Sequence, residues 1–350
     1  MTVAETAWER AVALVSGARE VALACHVDPD GDALGSMLAV ARFLHTRGVR
    51  VSASFATSEE RFSCVHVEPR QAGQETLHVP LQYAQLPGLE HLVAPADFPR
   101  NPPLLIVFDC ASPTRLDCLA ASASGAETVL VIDHHASGQA FGDVRIIDPD
   151  AAATAVLVEE LLQRAGGRLD RETATCLYVA LVTDTGRFQY ASTTPAVMEL
   201  GARLMDAGID HESINRRIWN THSLGYLKVL GRALDRTRLL PDAGMTWTAV
   251  YQDDLSDFDV DAAELEGVID VVRGVEAAAC CLVAKEQPSG AWKVSLRARD
   301  GIDVGRLTTA FGGGGHACAA GFTCDAPLPE IIERVASLLR AEHRDGALAG

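Results

Sequence analysis

The chain has 350 residues, 48% of them hydrophobic and 22% charged, a globular composition that excludes extended disorder. Its 30 basic and 47 acidic residues leave a formal net charge of −17. That excess argues against a protein that tracks long DNA or RNA by neutralising many phosphates, while a small phosphorylated ligand stays compatible if a divalent metal reverses the field of an acidic cleft.

The first 25 residues are interrupted by Glu5, Glu9, Arg10, Arg19 and Glu20, so neither a signal-peptide core nor a membrane span is expected there. Short apolar runs then alternate with amphipathic stretches, the pattern of a parallel sheet covered by helices. Strands are expected at 21–25, 49–55, 104–108, 128–132 and 144–147, and helices at about 6–16, 33–47, 153–165 and 171–182. Between 58 and 79 the chain turns polar without clean periodicity and reads as a long surface loop or an insertion. A helical region at 195–238, with Gly225 and Gly231 as breaks, leads to strands at 246–251, 277–284 and 292–297. A helix at 304–311, a glycine run at 312–315 and a helix at 329–342 follow. The expectation is an α/β protein: a first domain at 1–190 with a parallel sheet and helices on both faces, a helical connector at 191–238, and a smaller α/β domain at 239–345. Nine cysteines, an odd number without a CxxC pair, read as buried free thiols of a soluble cytoplasmic protein. The connector helices are open to serving a homodimer.

Strand 21–25 runs into His26-Val27-Asp28-Pro29-Asp30-Gly31-Asp32. Pro29 and Gly31 fit a turn, and Asp30 or Asp32 could equally be a helix N-cap. Strand 104–108 ends at Asp109, and strand 128–132 ends at Asp133-His134-His135. If these strands are parallel their carboxyl ends share one edge, where open α/β sheets bind ligands. So many carboxylates could not all stay ionised together without cations. Asp184, in Thr183-Asp184-Thr185-Gly186 at the end of an apolar helix, is disfavoured there by the helix dipole and again suits a cation. The mixed imidazole and carboxylate set favours Mn²⁺, with Mg²⁺, Fe²⁺ or Co²⁺ compatible.

These residues resemble the DHH phosphoesterase superfamily, whose name-giving triplet stands here as Asp133-His134-His135. The His26 to Asp32 segment looks like its first motif, Asp109 its second and Thr183-Asp184-Thr185-Gly186 its fourth. Val294-Ser295-Leu296-Arg297 and Phe311-Gly312-Gly313-Gly314-Gly315-His316 look like the accessory DHHA1 domain. The resemblance implies two divalent metal ions, one held by His26, Asp30 and Asp109 and the other by Asp32, Asp109, His134 and Asp184. It also implies that His135 faces the substrate phosphate, that Asp133 orients an imidazole, and that the active site lies in the interdomain cleft. In the second domain a glycine run lets backbone N–H groups approach a phosphate, so Gly313, Gly314, Gly315, His316 and Arg297 are candidate substrate contacts. Arg115 and Arg187 could also reach the cleft, but both read as exposed side chains by default.

The activity implied is hydrolysis of short oligoribonucleotides or dinucleotides to mononucleotides by metal-activated water. On the same centre, 3′-phosphoadenosine 5′-phosphate (pAp) phosphatase and cyclic di-AMP phosphodiesterase are alternatives. A nucleotide-binding regulator without turnover is the reading from a different class.

Overall fold

A computed structural model describes residues 3–57, 64–67, 77–135, 138–299 and 301–346. The chain folds as two units, Met1–Asn220 and Thr221–Gly350.

The first unit begins with α1 (Glu5–Gly17), β1 (Glu20–Cys25), α2 (Gly31–Thr46) and β2 (Arg50–Ser54). It continues through β3 (Cys64–Val67), β4 (Leu77–Pro80), β5 (Leu105–Phe108), α3 (Ala120–Gly125), β6 (Val129–Asp133) and β7 (Val144–Ile147). Helices α4 (Thr154–Arg164), α5 (Arg171–Asp184), α6 (Pro195–Asp206) and α7 (His211–Trp219) follow. Five strands form a parallel sheet in the order β2-β1-β5-β6-β7. Because successive side chains point to opposite faces, Val21, Leu23 and Cys25 pack with α1, α2, α4 and α5, while Ala22 and Ala24 pack with Leu116 and Leu119 on the other face. The expected parallel sheet with both faces covered is thus what forms.

Register matters for the site. Cys25 pairs with Phe108, and Phe108 with Ile132. The next residue on each strand, His26, Asp109 and Asp133, therefore stands in one row along the carboxyl edge. Helix α2 crosses α5 closely enough that a Cβ on Gly31 would lie 2.5 Å from Thr183 Oγ1, and one on Gly35 2.5 Å from the Cys176 carbonyl oxygen. Gly31 is thus required by helix contact, being the first residue of α2 instead of part of the turn before it.

The second unit holds α8 (Leu224–Arg236), β8 (Arg238–Leu240), β9 (Met245–Val250), α9 (Gln252–Phe258), α10 (Val268–Val272), β10 (Cys280–Glu286), β11 (Trp292–Ala298), α11 (Val304–Thr309), β12 (Gly314–His316), β13 (Ala319–Cys324) and α12 (Leu328–Gly346). Its sheet runs β12-β13-β11-β10-β9-β8. Only β9 and β10 pair parallel in it. Leu282 and Ala284 face Ile331, Val335 and Leu339 of α12, while Cys281 and Val283 face Tyr226 and Val229 of α8 and Ile269 of α10.

Two local expectations are corrected. The helical region at 195–238 breaks at Gly208, where φ is +85°, and again before Ser223, whose hydroxyl accepts the Tyr226 N–H at 2.9 Å. Gly225 and Gly231 lie inside α8, and Gly225 is explained by the Phe258 carbonyl oxygen 2.5 Å from where its Cβ would stand. The segment at 191–238 divides accordingly: Val197, Leu200 and Leu204 of α6 pack in the first core, and Tyr226, Val229 and Ala233 of α8 in the second unit. The second correction concerns the loop alternative at 58–79, where β3 and β4 pair antiparallel with His66 opposite His78; residues 58–63 and 68–76 lie outside the described residues. Cys25, Cys110, Cys176, Cys280 and Cys281 are buried free thiols, and Cys118 and Cys318 are exposed. Among the described residues no helix is long and apolar enough to cross a membrane.

Candidate metal centre

His26 follows β1 directly. Its Nδ1 lies 2.8 Å from the Val27 carbonyl oxygen, which can only accept, so Nδ1 carries the proton and Nε2 is the nitrogen left for a ligand. Nε2 stands 3.6 Å from Asp109 Oδ2 and 3.9 Å from Asp30 Oδ2. Asp30 serves twice: Oδ1 caps α2 by accepting the Ala33 N–H at 3.0 Å, and Oδ2 faces the histidine. The cap and ligand readings of this residue are compatible.

Asp109 ends β5 in the left-handed region, at φ +52°, a conformation that Asp tolerates better than most side-chain-bearing residues. Its Oδ1 lies 3.5 Å from His134 Nε2 and accepts the Thr154 hydroxyl at 2.9 Å. One carboxylate thus faces His26 with one oxygen and His134 with the other. His134 repeats the logic of His26: its Nδ1 donates to the Ala151 carbonyl at 3.1 Å, and Nε2 lies 3.3 Å from Asp184 Oδ2 and 3.9 Å from Asp32 Oδ2. The fully buried Asp32 accepts Ser36 Oγ at 3.1 Å and the N–H groups of Thr154 and Ala155, at 2.6 and 3.0 Å, at the start of α4. Asp184 is the last residue of α5, and Gly186, at φ +55°, turns the chain away. Asp133 Oδ1 accepts both the Nδ1–H of His135, at 2.6 Å, and its backbone N–H, at 3.2 Å.

Three groups of these side chains could each hold a metal ion: His26 with Asp30 and Asp109; Asp32 with His134 and Asp184; and Asp109 with His134 and His135. The electrostatics fit cations. Burial works against a charged His26, but the neighbouring Asp109 and Asp30 carboxylates outweigh it and raise its pKa to about 10. His134 is likewise raised by Asp32 and Asp109 against the effect of burial. Burial and neighbouring carboxylates push Asp32 and Asp184 up. Burial also opposes ionised Asp109, yet the adjacent His26 and His134 imidazoles hold it below the usual carboxylate range. The edge carries more negative charge than protonated imidazoles can balance, which divalent ions would relieve.

Thr154 and Ser36 were not legible as site residues. Thr154 joins the two carboxylates, giving its hydroxyl to Asp109 and its N–H to Asp32. Nothing in a helix-start threonine announces this; Ser36 could have been found by its i+4 spacing from Asp32 on α2. Thr154→Val keeps the shape and removes the hydroxyl. It is expected to weaken Mn²⁺ binding by about 10–100-fold in calorimetry, as loss of a partner hydrogen-bonded to a metal ligand does; unchanged affinity would show that the bond does not position Asp109.

The candidate substrate contacts of the second unit lie on β11 and at β12. Arg297 is half-buried and donates to the Leu296 carbonyl at 3.0 Å. A Cβ on Gly313 would stand 2.2 Å from the Gly321 carbonyl oxygen, and one on Gly315 2.5 Å from that of Ala319, so both glycines are needed for close approach to β13. At Gly314 the space is open. His316 ends β12.

The chain belongs to the DHH family, in keeping with its fold and with where its motifs stand. The model of the DHH family N-terminal domain matches residues 20–181, and that of the DHHA1 domain residues 245–341. The chain is 31% identical to the bifunctional oligoribonuclease and PAP phosphatase NrnA of Thermus thermophilus over 96% of this chain and 95% of that protein. It is 26% identical to the NrnA of Bacillus subtilis over 62% of this chain and 69% of that protein. An exopolyphosphatase-related protein from Bacteroides fragilis shares the fold, with a TM-score of 0.84 and 22% identity, covering 98% of this chain and 97% of that one.

Proposed function

We propose that this protein hydrolyses short oligoribonucleotides or dinucleotides, such as pApA, to mononucleotides in the cytoplasm. The observation that carries the reading is the convergence of His26, Asp30, Asp32, Asp109, His134 and Asp184, with Asp109 facing both histidines. The Thermus relative's name supports the substrate class and a second activity, removal of phosphate from pAp.

Two divalent cations, Mn²⁺ favoured and Mg²⁺, Co²⁺ or Fe²⁺ compatible, suit the donor set, one at His26, Asp30 and Asp109 and one at Asp32, Asp109, His134 and Asp184. Bound there, they would supply Lewis-acid activation of water and neutralise charge developing on the phosphate oxygens. The protein's own groups do the rest. Backbone carbonyls hold both imidazoles with Nε2 presented, and Thr154 fixes Asp109. Asp133 fixes His135, which serves the substrate phosphate. Arg297, His316 and the N–H groups of Gly314 and Gly315 take a terminal phosphate, Gly314 being the glycine with open space for a ligand, while the Gly313 N–H is given to the Thr308 carbonyl at 3.0 Å.

The net charge of −17 and an aromatic content of only 5% argue against a basic or base-stacking track for a long strand. Turnover is therefore expected to fall with length, by at least about tenfold between a dinucleotide and a 24-mer. Mononucleotide or phosphate release with added Mn²⁺, compared across pApA, pAp, cyclic di-AMP, pyrophosphate and the 24-mer, checks this. Equal rates on the dinucleotide and the 24-mer would overturn the length limit.

A further inference from the structure

Directly after Asp184 the backbone holds an unfavourable conformation. Gly186, Arg187 and Phe188 have φ of +55°, +62° and +62°, three successive residues in the left-handed region, where two of them carry side chains that disfavour it. Hydrogen bonds fix the turn: Arg187 N–H donates to the Val182 carbonyl at 2.8 Å, and Phe188 N–H to Thr185 Oγ1 at 3.1 Å. Packing accounts for Phe188, which lies against the first core with its ring centroid 6.5 Å from that of Tyr178. It does not account for Arg187, which is exposed; glycine would hold the same backbone without strain.

The arginine is nevertheless held. Its guanidinium carbon sits 5.3 Å from the Trp219 ring centroid, within cation–π range. Helix α7 brings Trp219 there. Asn215 Nδ2 donates to the Tyr178 hydroxyl midway along α5, at 3.1 Å, and one turn further along α7 Trp219 meets the residue just past the end of α5. Arg187 and Trp219 therefore lie at the end of α5 that carries Asp184, whose Oδ2 is 3.3 Å from His134 Nε2. Among the described residues no carboxylate forms an ion pair with Arg187. A guanidinium near an aromatic ring and without a carboxylate partner, carried on strained backbone three residues from a candidate metal ligand, is suited to an incoming anion, and its planar donor fork matches phosphate.

We propose that Arg187, steadied by Trp219, binds a phosphate of the substrate at the Asp184 side of the metal centre, a substrate-binding role that rests on the phosphoester reading above. The test titrates AMP, with adenosine as the control lacking phosphate, into the full chain with Mn²⁺, comparing wild type, Arg187→Gly and Arg187→Lys by calorimetry. Arg187→Gly is expected to weaken AMP binding by about 10–100-fold, the loss of hydrogen bonds to a charged group. Adenosine and Mn²⁺ binding should be unchanged, the thermal midpoint equal or higher because strain is relieved, and Arg187→Lys intermediate. A purely structural arginine predicts the opposite pattern, a lower midpoint with AMP affinity intact. AMP binding equal in wild type and Arg187→Gly, or wild type binding AMP no better than adenosine, overturns the proposal. Failure of the phosphoester reading shows separately, as wild type that does not hydrolyse pApA.

Discussion

Asp109→Asn is expected to lower phosphodiester hydrolysis by on the order of 10³-fold or more, beyond the about 10–100-fold expected for losing a residue that merely supports a ligand. The reason is geometric. Asp109 Oδ2 faces His26 and Oδ1 faces His134, so one carboxylate serves two of the ligand groups at once. Asparagine is the informative replacement because it tolerates the left-handed backbone at φ +52° and keeps the side chain's shape. Without metal the variant should fold no better than wild type, since the charge it removes is one that His26 and His134 stabilise. A near-normal rate, or full Mn²⁺ binding measured by calorimetry, would remove Asp109 from its place between the two sites.

The second large effect concerns the fold of the second unit. Asp254, 1% exposed in α9, accepts the Tyr251 N–H at 3.0 Å, Arg232 Nη1 at 3.1 Å and Arg236 Nη2 at 2.8 Å, with Arg236 Nη1 on its other oxygen. Both arginines stand on α8, so this one carboxylate ties α8 to α9. Asp254→Ala is expected to cost about 3 kcal/mol, the low end for breaking a buried pair, because the arginines it leaves behind reach solvent. The sign of the pH dependence follows. Burial opposes the ionised form, but the Arg236 and Tyr251 hydrogen bonds and Arg232 outweigh it and lower the pKa. The contribution is therefore fully present above the ordinary carboxyl pKa and lost as pH falls through the lowered one. Denaturant midpoints across that acidic range should drop more steeply for wild type than for Asp254→Asn; parallel curves would show that the cluster adds nothing.

Much of the centre was legible because its signals are local. A buried strand ending in Asp, or in Asp-His-His, places those groups at a carboxyl edge once the strands are parallel, and the register Cys25, Phe108, Ile132 bears that out. What escaped depends on contacts distant in sequence. Thr154 lies 122 residues from Asp32 and 45 from Asp109, so no spacing rule links them. Gly31 and Gly225 looked like turn or break residues, yet each is small because another element passes close, which only the packed helices reveal. The β3 and β4 strands are four residues each, and the Val-His-Val and Leu-His-Val alternation inside them is too short to stand out from a polar stretch. The left-handed run at Gly186, Arg187 and Phe188 has a glycine only at its first position, so composition could mark the helix stop but not the strain beyond it.

On the proposed function, the carboxyl edge of the first unit is a divalent-cation centre that cleaves phosphoesters. Its most direct measurement is release of AMP from pApA by the purified full chain, with Mn²⁺ and then with Mn²⁺ removed by a chelator. The expected result is release that depends on the metal, returns when Mn²⁺ is restored, and is absent in Asp109→Asn. No release under any metal, or release that persists with the metal stripped away, would contradict it.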